Sequence, residues 1–352
     1  MKKLISFILI CGTIVCCSQK KSGAFVSRDF IFGDDRPFKE CHASTLVRLD
    51  DGNFLVAWFG GTAEMNPDVG IWLSKGNAGM WSAPRQVAKI RDDAHWNPVF
   101  FSDGKGTVYL YFKVGVEINI WETWVISSRD GGITWSEPAE LVKGDIGGRG
   151  PVRNKPIILS DGSWLAGASH EAGEWNVFID RSNDNGKTWQ ATPYLTLDRS
   201  KFNGMGVIQP TLWESTPGNV HILVRSCSSN GKIYRSDSED YGKTWSALYA
   251  TDMPNNNSSI DLVQLANGTL VLAYNPVSGN CIWASRALLH LAISYDNGIT
   301  WQKNVILEND EDEKAEYSYP AIITYDNRVA LTYTWKRQRI VFWDFAANSL
   351  IN

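Results

Sequence analysis

The chain has 352 residues, of which 43% are hydrophobic and 20% are charged, as in a soluble globular protein. Its formal net charge of -4 argues against nucleic acid or an anionic membrane surface as the main partner. The 16 tryptophans are unusually many, which fits either buried anchors of a repeat or flat surfaces on which sugars stack.

The N-terminus has the pattern of an export signal. Two lysines precede an apolar run from Leu4 to Val15 that is too short for a useful membrane span. The stretch IVCC that follows resembles a bacterial lipoprotein box, with residues 1–17 as signal peptide and Cys17 as the lipid-carrying residue. We therefore expect residues 22–352 to be a single exported domain, periplasmic or anchored to the outer membrane and monomeric. Plain secretion is the alternative.

Cysteine and metal-ligand patterns are sparse. Beyond the export segment, Cys41, Cys227 and Cys281 make an odd number, which does not support a disulfide framework. No His, Cys and Asp cluster has metal-ligand spacing, and no Gly-rich phosphate loop precedes a helix. We expect neither a metal nor another cofactor.

Six similar units follow the export segment in chain order. The stretch AFVSRDFIF, which precedes them, predicts a single strand. Each of the six units then alternates apolar strands with turns. The first turns of the units are rich in Gly and Asn, as hairpins require. They read LDDGNF, SDGKGT, LSDGSW, ESTPGN, LANGTL and YDNRVA.

A second turn recurs between the third and fourth strands of five units. It appears as a decayed copy, SKGNAGMW, and then as SRDGGITW, SNDNGKTW, SEDYGKTW and SYDNGITW, beginning at Ser74, Ser128, Ser182, Ser238 and Ser294. The Asp-x-Gly core predicts a tight turn in which Gly has a positive φ and Asp binds the backbone. The Trp would pack beneath it, so we expect these Asp residues to be structural.

The near-constant spacing of the units predicts an all-β fold, a six-bladed β-propeller. The sixth unit, YSYPAIITYDNRVALTYTWKRQRIVFWDF, lacks the second turn. The N-terminal strand would complete this last blade and close the ring, which removes open sheet edges. Two tandem β-sandwiches are the alternative, but the even period argues against them.

In such a ring, first strands start at the face where second strands end, and the repeated Asp turns lie on the opposite face. Polar residues at first-strand starts are His42, Trp96, Asn97, Arg153, Asn154, Lys155, Gln209, Asn256, Asn257, Glu316, Tyr317 and Tyr319. Those at or after second-strand ends are Trp58, Glu64, Asp68, Lys113, His170, Glu171, Arg225, Asn275, Lys336 and Arg337. Cations, amides, aromatics and carboxylates around one axis suit a polar, hydroxyl-rich and anionic ligand.

The repeated Asp turn is the Asp box, and over the mature chain the sequence resembles the sialidase superfamily of BNR-repeat proteins. A divergent branch is indicated by CHASTLV, AWFGGT, PDVGIW, WNPV, NKPI, QPT, NNNSSID, EYSYPA and YTWKRQR. The resemblance implies an acid/base Asp after the second strand of blade 1, a Tyr nucleophile paired with a Glu, and three arginines that hold a sugar carboxylate. A neutral Tyr avoids repulsion by that carboxylate, and the Arg fork binds it bidentately.

By position, the resemblance assigns Tyr317 as nucleophile and either Glu64 or Asp68 as acid/base. Arg225 matches one family arginine and Arg286 a second. The first-blade arginine is replaced by ECHAST, which places Cys41 or His42 there, and Gln209 falls near the position of the family Glu. Glu316 is the candidate substitute for that Glu.

These residues favour a secreted, exo-acting glycoside hydrolase that cleaves a terminal α-linked, acidic sugar from a glycan, with exo-α-sialidase as first choice. The expected ligand-binding residues are His42, Asn97, Asn154, Lys155, Gln209, Arg225, Asn257, Arg286 and Arg337. One alternative is a polysaccharide lyase or unusual glycosidase acting on glycans with uronic acid or rhamnose, with His42, His170 and Tyr317 as acid/base groups. A non-catalytic carbohydrate-binding propeller is the other.

Overall fold

The computed structural model describes residues 27–279 and 285–351, which form six antiparallel sheets arranged as the blades of a β-propeller. The predicted export segment, Cys17 and Cys281 lie outside the described residues. The described part of the chain contains no helix with the length and apolar composition of a membrane span.

Blades 1 to 3 follow one another in chain order. Blade 1 contains Glu40–Arg48, Phe54–Gly61, Gly70–Asn77, Met80–Trp81 and Arg85–Ala88. Blade 2 contains His95–Ser102, Val108–Val114, Glu122–Ser128 and Ala139–Glu140, with a 3₁₀ turn at Ile118–Ile120. Blade 3 contains Ile157–Ile158, Trp164–His170, Asn176–Ser182 and Gln190–Ala191.

Blades 4 to 6 complete the ring. Blade 4 contains Gly204–Thr216, Asn219–Ser228, Lys232–Ser238 and Tyr249–Pro254. Blade 5 contains Asp261–Gln264, Leu270–Tyr274, Leu288–Ser294 and Lys303–Asn309. Blade 6 contains Tyr317–Tyr325, Arg328–Trp335 and Arg339–Ala346, followed by the short helix Ala347–Ile351.

The N-terminal strand Ser27–Phe30 is the outer strand of blade 6, where it pairs antiparallel with Arg339–Ala346. This confirms the predicted closure, because the first and last described segments share one sheet. Arg28 of this strand also donates to Glu308 of blade 5, with 2.6 Å between Nη2 and Oε1. The ring is thus closed by a strand ladder and by an ion pair.

Apolar side chains pack in six clusters, one at each interface between neighbouring blades. The tryptophans of the repeated turns lie in these interfaces. Each packs in the cluster between its own blade and the preceding one, as seen for Trp81, Trp135, Trp189, Trp245 and Trp301. The high tryptophan content therefore serves the contact between blades.

The four full repeated turns have a common hydrogen-bond pattern, shown here by the first of them. Asp130 accepts from the Thr134 hydroxyl at 2.5 Å and from the Ile133 and Thr134 amides, while Ser128 Oγ accepts from the Gly132 amide at 2.9 Å. These bonds lower the pKa of Asp130 to about 2. The decayed copy differs: its residues form a tight hairpin that pairs Asn77 with Met80.

Bulges interrupt the axial ends of four first strands. The register shifts lie between His42 and Thr45, Trp96 and Val99, Ile208 and Thr211, and Ser318 and Ala321. One residue within each bulge has a left-handed φ, namely Ala43 (55°), Asn97 (40°), Gln209 (59°) and Tyr319 (54°). A bulge re-aims a side chain that strand alternation would otherwise direct to one face.

A buried carboxylate joins four blades at the axis. Asp261 of blade 5 accepts from Thr211 Oγ1 of blade 4 at 2.8 Å and from the Ile322 amide of blade 6 at 2.9 Å. Both of its oxygens lie 3.0 Å from Lys155 Nζ of blade 3. Lys155, predicted to bind substrate, thus has its ammonium on a structural carboxylate.

Blade 3 reaches across the axis because its first strand is irregular before Ile157. Asn154 Nδ2 donates to the backbone carbonyls of Gln209 and Pro210 in blade 4, at 3.2 and 3.1 Å. Arg153 Nη2 donates to the carbonyl of Tyr319 in blade 6 at 2.5 Å. These side chains link blade 3 to blades 4 and 6.

One disulfide was not anticipated from the odd cysteine count. Cys227 takes part in a disulfide bond, whereas Cys41 is free and buried.

Replacing Asp261 by Asn is expected to destabilise the propeller by about 3 kcal/mol, because it leaves the Lys155 ammonium without its buried partner. Denaturant unfolding measures the loss. Asp326→Asn, a substitution in an exposed hairpin turn, is the control and should change the free energy of unfolding by less than about 0.5 kcal/mol. Equal unfolding midpoints for the two variants would contradict a central role for Asp261.

Candidate active site

Arg225 is buried near the axis, among polar side chains of neighbouring blades. Its Nη1 donates to Gln209 Oε1 at 3.0 Å and to the Tyr319 hydroxyl at 2.9 Å. Its Nη2 donates to Asn257 Oδ1 at 3.0 Å. All three partners are neutral, and no carboxylate pairs with this guanidinium within the described ranges. Arg225 therefore carries an uncompensated positive charge.

Tyr319 is the aromatic centre of the site. Its ring lies over three guanidinium groups, with 5.2 Å to Arg153 and 5.6 Å to both Arg225 and Arg286. Cations at such distances are attracted to the ring face. Its left-handed φ of 54° is costly for a bulky residue, and such strain persists chiefly where function requires it.

Glu316 binds two arginines, Arg286 and Arg337. Its Oε1 accepts from Arg286 Nη1 at 3.0 Å and its Oε2 from Arg337 Nε at 2.9 Å. Burial alone would raise the pKa of Glu316, but Arg337 and Arg286 outweigh burial and the pKa is lowered. Arg337 also donates to Glu64. Glu316 and Glu64 are thus positioned as partners of arginines.

His42 is buried beside the central tyrosine, with 4.1 Å between the two ring centroids. Neither of its ring nitrogens has a hydrogen-bond partner among the described residues. Burial, and then the charges of the surrounding arginines, hold the pKa of His42 well below its ordinary value. The residue at the position of the first family arginine is therefore a neutral ring.

Arg337 of blade 6 approaches this same position. The Cys41 amide donates to the Arg337 carbonyl at 2.8 Å, and His42, Glu64 and Arg337 line one small depression. The position at which the resemblance implies a first-blade arginine is thus approached by an arginine of blade 6.

Glu171 lies on the other side of Gln209. Its Oε1 accepts from Gln209 Nε2 at 3.3 Å and from Ser169 Oγ at 2.9 Å. Burial raises its pKa despite the lowering influence of Arg225 and these hydrogen bonds. Both of these bonds go to Oε1. A carboxyl group that keeps its proton more readily than usual is suited to general acid catalysis.

Tyr317 and Asp68, to which the resemblance assigns catalytic roles, make other contacts. Tyr317 is buried in the core between blades 5 and 6, and its hydroxyl donates to Asp310 Oδ2 at 2.6 Å. Burial and this carboxylate raise the pKa of Tyr317 to about 12. Asp68 accepts from the Thr62 amide at 2.8 Å and from the Thr62 hydroxyl at 3.0 Å, which ties its exposed loop together.

The structure thus divides the predicted binding residues into two sets. It brings Gln209, Arg225, Asn257, Arg286 and Arg337 together around the axis, with His42 beside them. Asn154 and Lys155 instead make contacts between blades, and Asn97 is buried at the bulge of blade 2. The roles predicted for these residues stay predictions.

Tyr319, Glu171 and Arg153 are polar strand-end residues to which sequence reasoning gave no role. One signal was available for Tyr319. The bulge residue is followed by proline in Asn97-Pro98, Gln209-Pro210 and Tyr319-Pro320. Aligning these three pairs identifies Tyr319, and not Tyr317, as the counterpart of Gln209.

Within residues 27–279 and 285–351, no three His, Cys, Asp or Glu side chains converge as a metal site would require. The polar groups of the centre instead bond to one another, which forms a hydrogen-bonded cluster of guanidinium, amide and phenol groups. Such a cluster can bind hydroxyl and carboxylate groups directly.

Comparisons with known proteins agree with this architecture. Residues 52–331 match the family model described as a BNR repeat-like domain. A sialidase from Clostridium perfringens is 28% identical over 167 residues, which are 41% of this chain and 38% of that protein. The chain thus spans about two fifths of the length of this curated relative.

Solved structures are similar in fold at low identity. The Hadza microbial sialidase Hz136 superposes with a TM-score of 0.72 at 16% identity, over 88% of this chain and 66% of that one. A protein of unknown function from Dyadobacter fermentans gives 0.73 at 16% identity, over 91% and 99%. Trypanosoma rangeli sialidase in complex with sialic acid gives 0.67 at 16% identity, over 93% and 59%.

The chain belongs to the BNR repeat-like family, because the family model covers most of its length. It is a sialidase-like six-bladed β-propeller.

Glu171→Gln is expected to change the dependence of stability on pH. The pKa of Glu171 is raised in the folded state, so its contribution is full below the unfolded pKa of about 4.3 and is lost as pH rises through the folded pKa. The free energy of unfolding of Glu171→Gln relative to the parent should therefore increase from pH 4 to pH 8. Denaturant titrations across this range measure the difference, and a constant difference would contradict the raised pKa.

Proposed function

We propose that the protein is an exo-acting glycoside hydrolase that removes a terminal, α-linked acidic sugar from a glycan. The observation that carries this proposal is the Arg225 guanidinium, buried near the axis and bonded only to neutral groups. A buried cation without a counter-ion favours an anionic ligand group. A sugar carboxylate has the negative charge that this guanidinium lacks among its present partners.

The charge balance of the centre supports a carboxylate ligand. Arg286 and Arg337 are paired with Glu316, and Arg337 also with Glu64, so their charges are largely compensated. Arg225 and the buried Arg153 have no such partner in the described structure. The positive potential is thus concentrated beside Tyr319, where the acidic sugar would lie.

Tyr319 is placed to act at the anomeric carbon. Its hydroxyl is held at 2.9 Å by Arg225, the group that would bind the carboxylate. In sugars with a carboxylate on the anomeric carbon, a neutral phenol approaches without the repulsion that a carboxylate nucleophile would meet. The adjacent guanidinium groups would stabilise the phenolate left when the hydroxyl proton passes to water. That oxygen would then form the bond to the anomeric carbon while the bond to the leaving oxygen breaks and the leaving oxygen takes a proton from Glu171.

Glu171 is the carboxyl group proposed to protonate the leaving oxygen. Its raised pKa keeps a proton available, and Gln209 connects it to Arg225 through two hydrogen bonds. Glu316 is unsuited to this step because its pKa is lowered by Arg337 and Arg286 beside it. Asp68 and Glu64, on the loop after the second strand of blade 1, remain the alternatives predicted by resemblance.

The relatives support an acidic sugar without identifying it. Trypanosoma rangeli sialidase, which has the same fold, was solved with sialic acid. We propose sialic acid or a related acidic sugar as the ligand of this chain, and action outside the inner membrane after export by the N-terminal segment, with Cys17 as lipid anchor.

Incubation with sialosides, rhamnosides and uronic-acid glycans is expected to release a free acidic sugar. Arg225→Gln keeps hydrogen-bonding capacity but removes the charge, and should raise KM for that substrate by about 100-fold. Mass spectrometry identifies the product, and absorbance of unsaturated uronates is read in parallel. An unsaturated product would establish lyase chemistry, and binding without any product would establish a lectin.

Tyr319→Phe and Glu171→Gln are each expected to lower kcat by roughly 10²–10⁴-fold with little change in KM, because each removes a group acting in the transition state. Initial rates on the identified substrate measure this.

Tyr317→Phe is the matched tyrosine control, and Asp68→Asn and Glu64→Gln are the carboxyl controls. Each should retain kcat within about tenfold of the parent. Full activity of Tyr319→Phe together with an inactive Tyr317→Phe would return the nucleophile to Tyr317. Loss confined to Asp68→Asn or Glu64→Gln would return the acid to the loop of blade 1.

A further inference from the structure

A groove of about 390 Å³ opens between blades 2 and 3. One wall is the loop around Gly147, which connects the two blades, and the other is formed by His170 and Tyr194 of blade 3. His170 ends the second strand of blade 3 and directly precedes Glu171. The groove is therefore at the face where second strands end, and one of its lining residues is the chain neighbour of the residue proposed as general acid.

Two aromatic rings line the groove in near-parallel orientation. The rings of His170 and Tyr194 are 6.1 Å apart at an angle of 20°, and Phe178 lies 5.9 Å from Tyr194. Tyr194 is 53% exposed although it is a large ring. Exposed, flat aromatic surface in a polar groove is suited to stacking against the apolar face of a pyranose ring.

The wall of the groove is fixed before any ligand arrives. The Arg149 carbonyl accepts from Lys113 Nζ at 2.8 Å and from Thr123 Oγ1 at 2.6 Å. Gly147 lies against His170, and a Cβ at this position would be 3.0 Å from the His170 ring. A rigid wall lowers the entropic cost of binding.

The charge of the groove differs from that of the centre. Arg149 lines the groove, but its Nε and Nη2 are bound by the buried carboxylate of Asp180 at 2.7 to 3.0 Å. Its positive charge is therefore compensated, and Asp145 adds a carboxylate to the lining. The groove thus favours an uncharged sugar over a second acidic one.

We propose that this groove binds the neutral sugar on the leaving-group side of the scissile bond, with Tyr194 and His170 as its stacking surface. The inference rests on the proposed function, because Glu171 places the leaving oxygen between the centre and the groove. The enzyme would then recognise a disaccharide unit: an acidic sugar at Arg225 and a neutral pyranose at Tyr194.

Tyr194→Ala separates the two sites. For 3′-sialyllactose, which has a neutral disaccharide as leaving group, KM should rise about tenfold through loss of stacking. For the methyl α-sialoside, whose leaving group is methanol and has no ring to stack, KM should stay within twofold, a bound set by the precision of such measurements. Tyr295→Ala, which removes a comparably exposed tyrosine on the opposite face, is the matched control.

Lactose binding, read by saturation-transfer NMR on the full protein, tests the groove without any turnover. Loss of the lactose signal in Tyr194→Ala but not in Tyr295→Ala supports the inference even if neither substrate is hydrolysed, an outcome in which only the proposed function fails. Equal KM changes for the two substrates, or lactose binding that is absent from the parent or unaffected by Tyr194→Ala, would overturn it.

Discussion

The carboxylate of Asp261 is the contact on which the axial part of this propeller depends. It is buried, and it binds Lys155, Thr211 and the Ile322 amide, so that one side chain of blade 5 connects blades 3, 4 and 6. The catalytic candidates lie only a few residues along the same first strands: Gln209 precedes Thr211 by two positions and Tyr319 precedes Ile322 by three. Because those strands are fixed to one another through Asp261, the relative heights of the side chains above it are fixed as well. The contacts of Asp261 therefore hold the polar side chains near the axis in fixed relative positions.

The two faces of the ring use different repeated devices. On one face, the Asp-box turns place tryptophans between neighbouring blades, and the same residues recur because each interface has the same requirement. On the other, the bulges recur in backbone only, and their left-handed residues are Ala43, Asn97, Gln209 and Tyr319. A device that fixes backbone direction without fixing side-chain identity lets one propeller place four different residues at equivalent positions near the axis. This explains why the box repeat defines the scaffold and carries no information on substrate.

The sequence was sufficient for the blades, their number and the closure by the first strand, since these follow from apolar period and turn chemistry. It was insufficient for the side chains at the axis, because a bulge interrupts the strand alternation from which the direction of each side chain is inferred. Between Ser318 and Ala321 the register shifts, so Tyr319 rather than Tyr317 contacts Arg225. The ion pair of Lys155 could not be predicted for another reason: its partner Asp261 is 106 residues away, and no local pattern links them. Ion pairing across the ring is a property of the closed fold.

The histidine in place of the first-blade arginine changes where the positive charge comes from. Arg337 of blade 6 lies beside His42, but its guanidinium is bound by Glu64 and Glu316, so it adds little free charge. His42 itself is neutral, since burial and the arginines lower its pKa. A carboxylate would therefore be bound mainly by Arg225, and not by three arginines with unpaired charges. A centre that binds a lone carboxylate through Arg225 alone holds it less tightly than a clamp of three arginines, and an aromatic groove for the neighbouring sugar would supply the binding energy that the centre lacks. On this argument the divergence at His42 and the groove at Tyr194 are two parts of one recognition mode.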